Sequence, residues 1–178
     1  MVRVLLQPSS TSRKLLLVTQ ESSYPLPVTG LQQRSFINYT SPANQGNFMI
    51  ISHFALLTGP NGSNPVQDYA DYRASSTGGS FNTKIFMIDQ LIDQFSFGIK
   101  NHPLSVRNFL RMARANYTNP IKNVFLIGKG LQYLHNSIYQ SNPDFSKLSF
   151  VPTFGYPASD NLLTTDPGLD VTPRLSIG

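Results

Sequence analysis

Asn123-Val-Phe-Leu-Ile-Gly-Lys-Gly130 decides the fold. Four apolar residues, Val124 to Ile127, run without polar alternation and end on Gly128 and Gly130. Such a run predicts a strand buried on both faces, as in a parallel sheet. The two glycines let the backbone turn sharply at the strand's carboxyl end, where ligands of open α/β sheets gather.

Working outward, the chain from Phe48 reads strand, helix, strand, helix, strand. Phe48–Ser52 predicts a buried strand. Asn64-Pro65 predicts a helix start, with Asn as N-cap and Pro at the first helical position. Val66, Tyr69, Ala70 and Arg73 then share one face to about Ser75, and Gly78-Gly79 ends the helix. Thr83–Ile88 is the second strand, and Gln90–Phe97 a short helix stopping at Gly98. Pro103 opens a helix in which Val106, Phe109, Leu110 and Ala113 recur at amphipathic spacing. Leu131–Gln140 predicts a helical turn or two, and Ser149–Pro152 an extended stretch. Residues 154–161 are irregular and rich in turn formers. Arg174–Ile177 predicts a further strand, one residue before the sequence stops, so the domain is expected to continue beyond it.

Residues 1–46 carry no helical periodicity. Arg3–Gln7, Lys14–Thr19 and Arg34–Tyr39 are short β-prone runs separated by turn formers. They predict a β-rich segment, residues 1–45, ahead of an α/β unit at 46–178.

Composition narrows the function. Charged residues are 13% of the 178, against an average of about 25%, so Ser, Thr, Asn, Gln and Tyr solvate the surface, a balance more common outside the cytosol. The net charge is +5, but its one dense stripe, Arg107, Arg111 and Arg114, reads as a solvated helix face. No nucleic-acid partner is expected. With no cysteine in the chain, it holds no disulfide, thiolate metal site or cysteine nucleophile. No run approaches the roughly 18 apolar residues of a membrane span.

Several side chains are functional candidates. His53 directly follows the first strand and reads first as a hydrogen-bonded structural histidine. His102 precedes Pro103 and reads as a cap or a solvent-facing group. His135 supports no assignment. Asp160, Asp166 and Asp170, with Asn161, cluster oxygens of the kind calcium takes, although without EF-hand spacing. Turn formation is the first reading of these residues, with Asp160 the ligand if a calcium ion binds. Gly128-Lys129-Gly130 lacks both the Walker spacing and a third glycine, so it reads as a tight turn rather than a phosphate loop.

Six stretches together carry a resemblance: Asn47-Phe-Met-Ile-Ile-Ser-His53, His102-Pro-Leu-Ser-Val-Arg-Asn-Phe-Leu-Arg111, Asn123–Gly130, Phe150-Val-Pro-Thr-Phe-Gly155, Ala158-Ser-Asp-Asn161 and Arg174-Leu-Ser-Ile-Gly178. In order and spacing they resemble the first half of a gingipain-like cysteine peptidase domain, a family that includes the sortase-like enzyme of type IX secretion. The resemblance implies a caspase-like or flavodoxin-like α/β sandwich with a parallel sheet in the order 2-1-3-4. It also implies a secreted or cell-surface protein acting on protein or peptide substrates. The family's Cys-His dyad belongs to segments this chain does not contain, so no catalytic residue carries over. The missing carboxyl-terminal half of the peptidase domain is the expected partner, and the fragment alone is expected to be inactive.

Gly128 matches the glycine ending the third strand, and Ser159-Asp160 a pair near the cleft or a bound calcium. Gly128, Lys129, Ser159 and Asp160 are therefore the expected cleft-lining residues. Many members have Gly-Asp where this chain has Gly128-Lys129, and a lysine can neither ligate calcium nor pair with a basic side chain. Two other readings stand beside the peptidase. One is a non-catalytic interaction or secretion component derived from the same fold, and the other a complete flavodoxin-like ligand-binding domain.

Overall fold

The structure is a computed structural model and describes residues 8–14, 30, 32–139, 142, 144, 147–168 and 170–178. The chain divides into two compact units, Met1–Gln33 and Arg34–Gly178. In the first, residues 8–14 carry a polar turn in which the Thr11 amide donates to Ser9 Oγ (3.3 Å). The expected strands Arg3–Gln7 and, apart from Lys14, Lys14–Thr19 lie outside the described residues.

The second unit is a three-layer α/β sandwich around a four-stranded, all-parallel sheet. Its strands are β1 (Phe48–Ser52), β2 (Thr83–Met87), β3 (Asn123–Ile127) and β4 (Ser176–Ile177), in the order β2-β1-β3-β4. The expected order 2-1-3-4 is the observed one. Its helices are α1 (Pro65–Ala74), α2 (Ile88–Phe95), α3 (Leu104–Asn116) and α4 (Tyr133–Tyr139).

β1 lies between β2 and β3, and all five of its residues are buried. Because side chains alternate along a strand, its two faces feed two cores. Met49 and Ile51 enter the core built with α2 and α3 (Leu91, Val106, Phe109, Leu110). Phe48 and Ile50 enter the smaller core that α1 closes with Val66 and Ala70.

The expectation of a buried strand holds for β1, and that of burial on both faces fails for β3. In β3 only Val124 is fully buried, while Phe125, Leu126 and Ile127 are half-buried. Its outer neighbour β4 faces Asn123 and Val124, and the Leu126 amide donates to the Gly178 carbonyl (2.7 Å).

Helix boundaries follow local chemistry. Asn64 Oδ1 accepts from the Gln67 amide (3.1 Å) and Pro65 occupies the first turn, as a capped, proline-led helix requires. Val66 and Ala70 are buried on the expected face, and Arg73 lays its guanidinium 4.7 Å over the rings of both Phe48 and Phe81. A Cβ on Gly78 would lie 1.8 Å from the Tyr72 carbonyl oxygen, so only glycine lets the chain pass this helix end. α2 starts two residues earlier than expected, directly off β2. Its end is tied by Ser96 Oγ donating to the Ile92 carbonyl (3.0 Å) and by Gly98 in the left-handed region (φ 74°).

Arg34–Tyr39, expected as a β-prone run, forms no strand. Its role is instead to deliver Tyr39 into the larger core. The ring lies 5.7 Å from Phe86, 6.0 Å from Phe95 and 5.1 Å from Phe109. The Gln94 side-chain amide donates to the Ile37 carbonyl (2.8 Å) and Lys84 Nζ to the Ala43 carbonyl (2.7 Å), fastening residues 37–43 along β2 and α2. A segment held by side chains rather than by a ladder carries no period-2 signature, so propensity misread it.

The Tyr39 and Tyr117 hydroxyls are buried with no hydrogen-bond partner among the described residues. Burial pushes the Tyr39 phenol up to about 12. Burial and the neighbouring Tyr39 raise that of Tyr117 further. A phenol whose folded pKa is raised costs stability once the unfolded chain begins to ionise. Stability therefore falls as pH rises from about 10, the ordinary phenol value, towards 12. The double variant Tyr39→Phe/Tyr117→Phe is expected to unfold at the same or higher urea concentration at pH 7, by up to about 1 kcal/mol per hydroxyl. It is also expected to lose less stability than the parent between pH 9 and 11 in the same assay.

Candidate functional site

In a parallel sheet all carboxyl ends lie at one edge, and here the chain builds a cleft beside it. β3 leaves through Gly128, whose φ of 140° is strained for any residue with a Cβ. The Lys129 carbonyl accepts from the Phe150 amide (2.8 Å) and, at 3.3 Å, from the Val151 amide. A Cβ on Gly130 would stand 2.1 Å from the Val151 carbonyl oxygen, and Thr153 Oγ1 donates to the Leu131 carbonyl (2.9 Å). Residues 128–131 and 150–153 thus run side by side at a separation only glycine permits.

This pairing carries residues 153–156 to a place facing the loop that joins α2 to α3. The two segments and Leu131 enclose a cleft of about 540 Å³, with Ile99 to Pro103 on one side and Thr153 to Tyr156 on the other. The volume lies within the range of small-ligand and side-chain sites, about 300–1,000 Å³. His102 is fixed within it. Its Nδ1 accepts from the Leu104 amide (3.2 Å) at the amino end of α3, and the Ser105 hydroxyl donates to its carbonyl (2.8 Å). With Nδ1 accepting, a neutral imidazole carries its proton on Nε2.

The other sequence-derived candidates fall elsewhere. His53 Nδ1 accepts from the Ala55 amide (3.1 Å), and its ring rests on Phe54 and Phe150 at 4.4 and 5.3 Å. This is a structural histidine. His135 lies exposed on α4. Gly128 and Lys129 precede Leu131, and the Lys129 side chain is exposed. The Ser159 amide donates to the Phe154 carbonyl (2.8 Å), and Asp160 opens the 3₁₀ helix Asp160–Thr164. None of these four lines the cleft, although Ser159 braces one of its walls through Phe154. Of the lining residues, the sequence marks His102 as a candidate and includes His102, Pro103 and Thr153 to Gly155 in stretches that carry the family resemblance, but it assigns none of them to a cleft. For a cleft the signal was only negative, namely stretches without period beside Gly and Pro at the carboxyl edge of a sheet.

The arginine stripe of α3 is not a solvated face. Arg111 donates through Nε (3.1 Å) and Nη2 (2.9 Å) to the Thr165 carbonyl, and Arg107 Nη2 donates to Thr165 Oγ1 (2.9 Å) and the Asp166 carbonyl (3.0 Å). Arg114 pairs with Asp166 (2.8 Å), which also meets Arg174 (3.0 Å), and Arg174 reaches Asp170 (2.6 Å). Burial, then the adjacent Arg107, pulls Arg111 below the usual guanidinium value. The reason for the correction is distance along the chain: the stripe's partners lie more than fifty residues away, beyond the reach of a helix-face reading.

Asp166 and Asp170 are thereby engaged by arginines, and Asp170 Oδ1 also accepts from the Thr172 amide (2.9 Å) in a turn. No group of three or more His, Cys, Asp or Glu side chains able to hold a metal occurs among the described residues. The Asp166 and Asp170 carboxylates are committed to arginines.

The hydrogen bond from Arg114, then the charges of Arg114 and Arg174, hold the Asp166 carboxyl below the usual carboxylate range. A depressed carboxylate contributes stability above its unfolded pKa, near 3.9, and loses that contribution as pH falls through the folded value. The parent is therefore expected to lose stability more steeply below about pH 4 than Asp166→Asn. Thermal melts of both at pH 3 and pH 6 check this, and the gap between them should narrow at the lower pH.

No helix among the described residues is long and apolar enough to cross a membrane. A family model for peptidase family C25 matches residues 41–178. No curated protein and no solved structure matches the chain.

Proposed function

The chain belongs to peptidase family C25, and from that premise we propose that it is the amino-terminal α/β part of a secreted gingipain-like cysteine endopeptidase. The observation that carries this reading is the family match over residues 41–178, in a chain with no cysteine. In such an enzyme a thiolate attacks the peptide carbonyl and a histidine transfers the proton. The thiolate must then come from residues outside these 178. This part supplies the sheet, the cleft at its carboxyl edge and the loops around it. Gly128 holds that edge open, and Ser159 and Asp160 flank the cleft wall. Residues 1–33 are the end of a preceding β-rich region, while residues 34–45 join the α/β unit through Tyr39, and the enzyme acts on proteins or peptides at or beyond the cell surface.

The test is hydrolysis. The purified 178-residue chain should leave a fluorogenic peptide library uncut, and a chain extended through the downstream reading frame should cut it and be silenced by a thiol alkylator. Cleavage by the 178-residue chain, abolished by a substitution within it, would overturn the assignment.

One observation favours a second reading. Lys129 stands exposed at the turn after β3, where the family pattern the sequence resembles would place an aspartate, and this suits a non-catalytic interaction component on the same fold. A downstream sequence without a Gly-His-Gly segment and a strand-end cysteine would decide for it.

A further inference from the structure

We propose that the cleft between residues 99–103 and 153–156 is a peptide groove that takes a bulky apolar side chain with a carboxylate next to it. The proposal deepens the peptidase reading: it rests on a peptide being the substrate and names the kind of peptide.

The apolar half of the argument is exposure in a concave place. Ile99 is 54% and Tyr156 72% exposed, and both face a cavity of about 540 Å³ that Leu131 and Phe154 also line. Phe97, two residues ahead of Ile99, is 93% exposed. Covering apolar surface of this kind is favourable at roughly 25 cal/mol per Å², and a ring or branched aliphatic side chain is the group that does so.

The polar half is that the cleft presents donors without a balancing acid. Lys100 contributes an ammonium and no acceptor. His102 has its Nδ1 committed to the Leu104 amide, which leaves an Nε2 proton. The amino end of α3 begins at the next turn and adds partial positive charge. The Arg107 guanidinium lies 5.1 Å from the centroid of the Phe154 ring. No Asp or Glu among the described residues lines the cleft, so an incoming lysine or arginine would meet Lys100 with nothing among them to compensate it. Charge complementarity selects an acceptor-bearing, anionic neighbour for the apolar side chain.

The experiment is a fluorescence-polarisation titration of the 178-residue chain with four labelled hexapeptides. Their central pairs are Phe-Asp, Phe-Lys, Ser-Asp and Ser-Lys. The Phe-Asp peptide is expected to bind tightest, by roughly fivefold over Phe-Lys, the scale of a solvent-facing charge contact, and by at least as much over Ser-Asp. Lys100→Glu is expected to reverse the order of Phe-Asp and Phe-Lys. Ile99→Ser is expected to weaken both Phe peptides while the circular dichroism spectrum stays unchanged, since both side chains are exposed. Absence of binding, equal binding of all four, or an order that Lys100→Glu leaves intact overturns the proposal.

The same peptides offered to the extended chain separate this proposal from the one beneath it. Cleavage without a binding preference for Phe-Asp removes the groove and leaves the peptidase. Selective binding with no cleavage of any peptide removes the peptidase and supports the groove.

Discussion

Phe109→Ala is expected to lower the free energy of unfolding by about 3–5 kcal/mol, a large share of the roughly 5–15 kcal/mol typical of a domain. Phe109 is fully buried on α3. Its ring meets Tyr39 at 5.1 Å, Phe86 at 4.8 Å and Phe95 at 5.4 Å. Those partners come from the run-in, β2 and α2, so truncation opens a cavity where four separate segments meet. Rings held edge-on or tilted by one another cannot all slide inwards to fill it. Urea denaturation read by tyrosine fluorescence measures the change. A loss below about 1 kcal/mol would mean that the aromatic cluster does not hold these segments together.

Gly130→Ala is expected to cost stability and to disable the cleft together. The added methyl would lie 2.1 Å from the Val151 carbonyl oxygen and 2.8 Å from Thr153 Cγ2. One neighbour is backbone and cannot rotate away, so residues 128–131 and 150–153 must move apart. Overpacking of this kind costs roughly 1–3 kcal/mol. The displaced residues lead straight into Leu131 and Thr153, which line the cleft. Peptide binding should therefore fall at least tenfold, and by more than the loss of folded protein explains. Ile138→Ala, at an exposed position on α4, should change neither quantity in the same titrations.

What could be read from the sequence was what repeats locally. The β1 run announces a buried strand within five residues. Val66 and Ala70 on α1, and Val106, Phe109, Leu110 and Ala113 on α3, announce their faces by spacing, and all six are buried. Asn64 and Pro65 mark a helix start because the cap is a contact three residues long. The strand order followed from the family resemblance and the parallel-sheet rule rather than from any one residue.

What could not be read was assembled across the chain. Arg107 meets Thr165 at a separation of 58 residues, and nothing around Arg107 distinguishes a clamp from a wetted helix face. Tyr39 is buried although its neighbours Phe36 and Ile37 are exposed, a choice made by α2 and α3 rather than by residues 34–39. The cleft joins the loops at 99–103 and 153–156, each of which reads alone as a mere connection. For β3 the apolar run is genuine, but only Val124 of it is fully buried.

β1 contributes alternate side chains to both cores, so neither layer can open without unsealing the strand the other depends on. The two apolar clusters should accordingly melt as one cooperative unit. The amides of Ile50 and Ile51 should be among the last to exchange with deuterated solvent, at rates that converge with those of Val106 and Phe109 as denaturant rises.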